Sequence, residues 1–258
     1  MSLDDSQIER YARHIVLKEV GGAGQQALLA ARVLVIGAGG LGSPLIMYLA
    51  AAGVGTIGVV DDDTVSLSNL QRQVLHDTGR VGRRKTESTV ESVARLNRDV
   101  RVIRHDLRIG ADNAAALVGG YDVVCDGSDN FPTRFAVHDA CFRQRRPLVS
   151  AAVVRFDGQL AVWRGYEDDK PCLRCLFPEV PAEDATCAAD GVLGAMAGVM
   201  GTLQATETIK EILGIGNSLA GQLLIHDGLA ATFRKVKVRP DPACPLCGQS
   251  REGALSAA

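Results

Sequence analysis

The stretch from Val33 to Val60 carries no charged side chain, yet it cannot be one uniform element. As a single helix it would be long enough to span a bilayer. Seven glycines and Pro44 instead break it into two short β-rich runs around a small-residue segment. Val33-Leu34-Val35-Ile36 and Thr56-Ile57-Gly58-Val59-Val60 read as strands buried on both faces, the pattern of a parallel sheet. Pro44 to Ala50 reads as the helix between them. The stretch is therefore a buried βαβ unit and not a membrane span.

The same alternation continues along the chain. Residues 85–96 read as a helix, Val100 to Ile103 as a strand, 110–118 as a helix and Asp122 to Cys125 as a buried strand. A helix over 132–143 then leads to the strand Leu148 to Ala151. Repeated strand and helix imply a mostly parallel sheet with helices on both faces, an α/β, Rossmann-like class. Residues 5–31 precede it as two helical segments broken at Gly21-Gly22, the first amphipathic from Gln7 to Val20. Beyond residue 150 the pattern changes. Val153 to Trp163 alternates about a turn at Asp157-Gly158 and predicts an antiparallel hairpin. Residues 165–190 show little periodicity, and loops of that length are commonly functional. Gly191 to Leu213 reads as a helix buried in its first part, and the strands Gln222–His226 and Thr232–Val238 complete an antiparallel extension. With 258 residues and no linker, one domain is expected, divided into 1–31, a nucleotide-binding part 32–150 and a part 151–250.

Gly37-Ala38-Gly39-Gly40-Leu41-Gly42 follows the first strand and opens a helix. The spacing G-x-G-x-x-G lets backbone approach a phosphate at a helix N-terminus, and Asp61, ending the next strand, can accept from ribose hydroxyls. A purely structural turn and an NAD-dependent oxidoreductase share this signature. Arg72 and Lys85 argue for more: they supply positive charge that a triphosphate needs and a dinucleotide does not. Asp126 and Asp129 follow the strand Val123-Val124-Cys125, at the edge of the sheet where a carboxylate can hold Mg²⁺.

The seven cysteines sort by context. Cys172-Leu173-Arg174-Cys175 and Cys244-Pro245-Leu246-Cys247 each place two thiols on one turn, and four thiolates close a tetrahedral structural zinc site. A redox dithiol and two separate disulfides are the other readings. Cys187 sits in an acidic loop before a predicted helix, where it is either a reactive thiol or a plain one, its acidic neighbours opposing ionisation. Cys125 and Cys141 read as core thiols. The five histidines show no ligand spacing. With 28 basic and 30 acidic residues the chain has no field for nucleic acid. Arg83-Arg84-Lys85 and Arg143 to Arg146 are therefore local basic surface, the second a candidate docking patch. No secretory signal opens the sequence, so a cytoplasmic setting is expected.

The glycine turn, the run Asp61…Asp63-Thr64-Val65, the segment Ser68-Asn69-Leu70-Gln71-Arg72-Gln73 and Asp126-Gly127-Ser128-Asp129-Asn130 together resemble the MoeB/ThiF family. These are relatives of ubiquitin-activating enzymes that adenylate small sulfur-carrier proteins. The resemblance runs from about Gln7 to Gln249 and is nearest the MoeB type. It implies that Gly37, Gly39, Gly40, Leu41 and Gly42 contact ATP, with Asp61 on the ribose and Asp63, Gln73 and Asn130 close by. Asn69, Arg72 and Lys85 would act on the triphosphate and Asp129 would bind Mg²⁺. Arg10-Tyr11-Ala12-Arg13 matches the family's N-terminal helix, which implies a homodimer with Arg13 reaching the partner's ATP; read alone, Arg13 is an exposed residue of an amphipathic helix. The family carries the same four cysteines, which favours zinc, and a cysteine matching Cys187 on a crossover loop. The implied reaction is adenylation of the C-terminal glycine of a ubiquitin-like carrier, preparing a thiocarboxylate for molybdopterin, thiamin or related biosynthesis. Residues 251–258 leave no room for a fused rhodanese domain, so a separate persulfide or rhodanese-type donor is expected. An NAD-dependent dehydrogenase and a zinc-stabilised nucleotide-binding scaffold are the competing functions.

Overall fold

The computed structural model describes residues 3–181 and 190–248. Its strands are β1 (Arg32–Ile36), β2 (Thr56–Val60), β3 (Arg101–His105), β4 (Val123–Asp126), β5 (Leu148–Val154), β6 (Asp157–Trp163), β7 (Gln222–Asp227) and β8 (Thr232–Lys237). They form one sheet in the order β3-β2-β1-β4-β5-β6-β7-β8. β1 to β5 run parallel, and β6, β7 and β8 add antiparallel to that edge. The expected α/β class, Rossmann-like sheet and antiparallel extension are all present. The helices are α1 (Asp5–Ile15), α2 (Gly21–Ala30), α3 (Gly42–Ala52), α4 (Lys85–Leu96), α5 (Ala114–Val118), α6 (Phe131–Arg143), α7 (Leu173–Leu176) and α8 (Gly194–Leu213).

The uninterrupted apolar run of β1 serves two cores at once. Side chains alternate across a strand. Val33 and Val35 enter the cluster under α3 and α8 with Leu45, Leu49 and Met200. Leu34 and Ile36 enter the opposite cluster with Val118 and Phe135 of α5 and α6. Helices therefore cover both faces.

Several expected boundaries move. The first helix starts at Asp5 because Asp4 and Gln7 form a reciprocal capping box, and it ends at Ile15. The break falls at residues 16–20, and Gly21 begins the second helix instead of ending the first. The helix expected over 110–118 is confined to Ala114–Val118. The hairpin turns at Arg155-Phe156, with Arg155 in the left-handed region at φ 51°. Asp157 and Gly158 are strand residues paired with Val154 and Val153. Gly158 is a glycine for packing and not for turning: a Cβ there would lie 2.4 Å from the Met200 sulfur. α8 is buried along one face, with Met196, Ala197, Met200, Gly201 and Gln204, while Val199 reaches solvent.

The glycine turn is equally tight. A Cβ at Gly42 would stand 1.9 Å from the Gly37 carbonyl oxygen. That neighbour is backbone and cannot swing aside. Gly42→Ala is expected to destabilise the protein by about 3 kcal/mol, the upper end for overpacking, read as a lower urea midpoint at unchanged slope.

Candidate active site

β1 has β2 on one side and β4 on the other, so the winding of the chain reverses between β1 and β4. Ligands of open α/β sheets bind outside the carboxyl ends of the strands at such a point. Ile36 is in register with Val60 and with Asp126. The residues that follow these three strands therefore meet at one edge, around a cleft of about 470 Å³.

Most of the expected site residues line this cleft. Gly37, Gly39, Gly40 and Leu41 come from the glycine turn, and Asp61 and Asp63 from the end of β2. Asn69, Arg72, Gln73 and Lys85 close one wall, and Asp129 and Asn130 stand after β4. Gly42 lies beneath the turn and does not line it. Arg13 is exposed on α1 and does not reach the cleft of its own chain. Cys187 lies outside the described residues.

Local structure explains these placements. Asp61 accepts from the Ala38 N–H at 2.8 Å with one carboxylate oxygen and from the Asp63 N–H at 2.9 Å with the other. It thus shapes the turn and retains further lone pairs toward the cleft. Residues 63–65 pair with 82–85, through Val65 N–H to the Arg83 carbonyl and Lys85 N–H to the Asp63 carbonyl. This ribbon brings Lys85 into the wall, 4% exposed, with its Nζ 2.8 Å from Asp63. Arg72 donates to Asn69 Oδ1 at 3.0 Å. Among the described residues, the N–H groups of Gly39, Gly40 and Leu41 have no acceptor, which makes them available to an anion.

The two acids after β4 separate. Asp126 is fully buried and accepts from Ser128 N–H at 2.9 Å and Ser150 Oγ–H at 3.3 Å. It folds the loop and is not among the residues lining the cleft, so of the two it is not the candidate for Mg²⁺. Asp129 is exposed at the cleft, and its neighbour Asn130 caps α6 by accepting from Thr133 N–H at 3.0 Å.

Arg108 and Arg134 also line the cleft, as do Leu107 and Ile109. Sequence reasoning missed all four. β3 runs two residues beyond its expected end at Ile103, which carries Leu107 to Ile109 to the same sheet edge. Arg134 lies one helical turn after the Asn130 cap and donates to the Ser128 carbonyl at 2.6 Å. An N-cap followed four residues later by arginine was the available signal.

The two cysteine pairs meet. Their four Sγ atoms lie within 4.8 Å of one another. The shortest separations join the motifs to each other, Cys175 to Cys247 at 3.3 Å and Cys172 to Cys244 at 3.5 Å, while Cys172 and Cys175 are 3.9 Å apart. Tetrahedral zinc with Zn–S near 2.3 Å sets sulfurs about 3.8 Å apart, so this donor set fits zinc. Asp241 N–H points at Cys175 Sγ from 3.4 Å, and Phe142 and Leu246 wall the cluster. Hydrogen bonding with Cys175, burial and the nearby Cys175 and Cys247 sulfurs push the Cys172 thiol far up, a penalty on the thiolate that a bound divalent cation would offset. Cys125 and Cys141 are buried core thiols, and burial pushes Cys125 up to about 12. The Arg143 to Arg146 cluster is partly committed to the fold, because Arg145 stacks on Tyr166 and donates to its carbonyl at 3.2 Å.

Burial lowers the pKa of His76, His105 and His138 below the ordinary histidine value of 6.5. The unfolded chain therefore binds more protons than the folded one just below that value, and stability rises with pH there. The stability these neutral rings contribute is complete above about pH 6.5 and lost progressively below it. A lower urea midpoint at pH 5.5 than at 7.5 is expected; equal midpoints would contradict it.

A model described as the ThiF family matches residues 11–246. The chain is 49% identical over 251 residues to the SAMP-activating enzyme E1 of Haloferax volcanii, covering 96% of this chain and 92% of that protein. It is 47% identical over 247 residues to the sulfur carrier protein adenylyltransferase of Thermus thermophilus, covering 94% and 91%. Against the mouse adenylyltransferase and sulfurtransferase MOCS3 the identity is 47%, over 96% of this chain but 54% of that protein. In fold it resembles Escherichia coli MccB crystallised with MccA-N7isoASN, with a TM-score of 0.81 at 23% identity over 95% of this chain and 76% of that one. Among the described residues no helix is long and apolar enough to cross a membrane.

Proposed function

Because this chain belongs to the ThiF family, we propose that it is an adenylyltransferase acting on the C-terminal glycine of a small ubiquitin-like sulfur-carrier protein. The observation that carries the reading is the cleft itself. The glycine turn, with its unpaired N–H groups, lines one cleft together with Arg72 and the buried Lys85, and Asp129 also borders it. That is more positive charge than the pyrophosphate of a dinucleotide requires, which favours a triphosphate over NAD.

In the proposed reaction the carrier carboxylate attacks the α-phosphorus of ATP. A new P–O bond forms to the carrier, the bond to the β-phosphate oxygen breaks, and pyrophosphate leaves with its electron pair. The chain's work is alignment and charge neutralisation. The glycine turn holds phosphate oxygens, Asp61 the ribose, and Arg72, Lys85 and Asn69 the departing phosphates. Asp129 would hold Mg²⁺, which when bound supplies further neutralisation of the phosphates. Gln73, Asp63 and Asn130 complete the wall. The cysteine cluster is a closed structural zinc site with no open position for chemistry.

A homodimer is part of the proposal. α1 and the turn after it leave Ile8 at 48%, Val16 at 72% and Leu17 at 49% exposed, a face that a second copy would cover. It would also bring Arg13 to the partner's ATP. One domain carries the activity, in the cytoplasm. A separate persulfide or rhodanese-type donor then attacks the acyl-adenylate with its terminal sulfur, which releases AMP and forms an acyl disulfide. A second thiol, for which Cys187 is the candidate, takes the donor sulfur into a disulfide and frees the thiocarboxylate for molybdopterin, thiamin or related biosynthesis. The test is ATP–pyrophosphate exchange. Exchange should appear only with a carrier ending in glycine and vanish when that glycine is deleted. ATP binding with no carrier-dependent exchange would instead identify a nucleotide-binding scaffold.

A further inference from the structure

Ala38, between the first two glycines of the turn, is fully buried, and side chains from elsewhere hold both of its backbone polar groups. Its N–H donates to Asp61 and its carbonyl meets Nε2 of His76 at 2.9 Å. A carbonyl can only accept, so Nε2 carries a proton. In the neutral ring Nδ1 must then accept, and Ser88 Oγ lies 2.8 Å from it. Ser88 Oγ is in turn a hydrogen-bond acceptor for buried Arg80 at 3.1 Å, so its own proton is free for the ring. Burial lowers the pKa of His76 and favours its neutral form; Lys85 acts in the same direction, while the hydrogen bond to the Ala38 carbonyl, Asp61 and Asp77 oppose it.

The peptide unit is planar and trans, so the Ala38 carbonyl and the Gly39 N–H point in opposite directions. Holding the carbonyl against His76 turns the Gly39 N–H away from that ring. Gly39 lines the cleft, and as a glycine it has no Cβ to restrict its own peptide plane. The orientation must come from outside the turn.

We propose that His76 is a positioning residue of the adenylation site: its Nε2–H pins the Ala38–Gly39 peptide so that the Gly39 N–H faces the nucleotide phosphates. His76 itself does not line the cleft. The inference rests on reading that cleft as the ATP site.

Three proteins test it: wild type, His76→Gln and His76→Leu. The glutamine amide can still donate to the Ala38 carbonyl; leucine cannot. His76→Leu should raise the KM for ATP about tenfold and leave the KM for the carrier unchanged, with His76→Gln within about threefold of wild type. In ligand-free protein, amide exchange over residues 37–43 should be faster in His76→Leu and near wild type in His76→Gln. If His76→Leu does not fold, Ser88→Ala replaces it. That change frees the imidazole to place its proton on Nδ1, and a smaller rise, roughly threefold, is expected. An unaltered ATP KM with unaltered exchange of the turn would overturn the proposal, as would a glutamine variant no better than leucine. Absence of carrier-dependent activity in the wild type would refute the proposed function alone, because amide exchange in the free protein still reads the clamp.

Discussion

Replacing Lys85 by alanine should lower carrier-dependent ATP–pyrophosphate exchange by about 10²–10³-fold, the usual effect of removing a preorganised group that meets developing charge. Lys85 is 4% exposed, so its ammonium is already stripped of most water before substrate arrives. It therefore spends little on reorganisation when negative charge builds on the departing phosphates. Its partner in the free protein is Asp63, whose side chain is 69% exposed. That contrast separates catalysis from folding. Losing the ammonium leaves a carboxylate that water can solvate, so the substitution strands no buried charge. The melting temperature should accordingly change by a few degrees at most. Exchange within threefold of wild type would remove Lys85 from the proposed reaction, and a large loss of stability would recast it as a structural residue.

Stripping zinc from the four-cysteine cluster should lower the melting temperature by about 10 °C or more, given the folding energy that structural zinc supplies and the usual conversion for a chain of this size. One equivalent of zinc per chain is expected by elemental analysis, and Cys247→Ser should reproduce the effect of a chelator. Among the described residues, the apolar side chains packed against the cluster are Phe142 and Leu246, and the two motifs approach from distant parts of the chain. The effect should also reach the cleft. Arg174, between two of the cysteines, grips Asp139 of α6 through Nε at 2.9 Å and Nη2 at 2.8 Å. His138 of α6 accepts from the Leu173 N–H at 3.0 Å. α6 begins beside Asn130 and Asp129, so a loosened cysteine loop should raise the KM for ATP as well. A chain that contains no zinc and loses stability only on adding reductant would point to disulfides.

The local half of this protein is written in short windows of sequence. Apolar runs with β-branched residues placed β1, β2 and β4 within a residue of where they lie, because burial on both faces leaves no polar register to slip into. The glycine spacing located the tight turn after β1 on steric grounds: Gly42 admits no Cβ against the Gly37 carbonyl. The errors were local too. Gly158 was read as a turn residue, since glycine serves close packing as readily as turning and only the facing Met200 distinguishes the two uses. Gly21-Gly22 reads as the break between two helices, although Gly21 begins the second.

What the chain could not disclose by itself is which distant groups share a partner. Asp126 and Asp129 look alike after the same strand, yet Ser150 from the neighbouring β5 draws Asp126 into the fold and leaves Asp129 at the cleft. The two Cys-x-x-Cys motifs announce metal, but their joining depends on bringing residues 172–175 beside residues 244–247. His76 carries no motif at all, and its role appears only where the chain returns it to the carbonyl of Ala38. Periodicity and steric limits act over a few residues, so sequence alone established the strands, the glycine turn and the thiol pairs. Hydrogen bonds and ligand geometry depend on distances of a few ångströms between remote segments, and those only the folded chain decides.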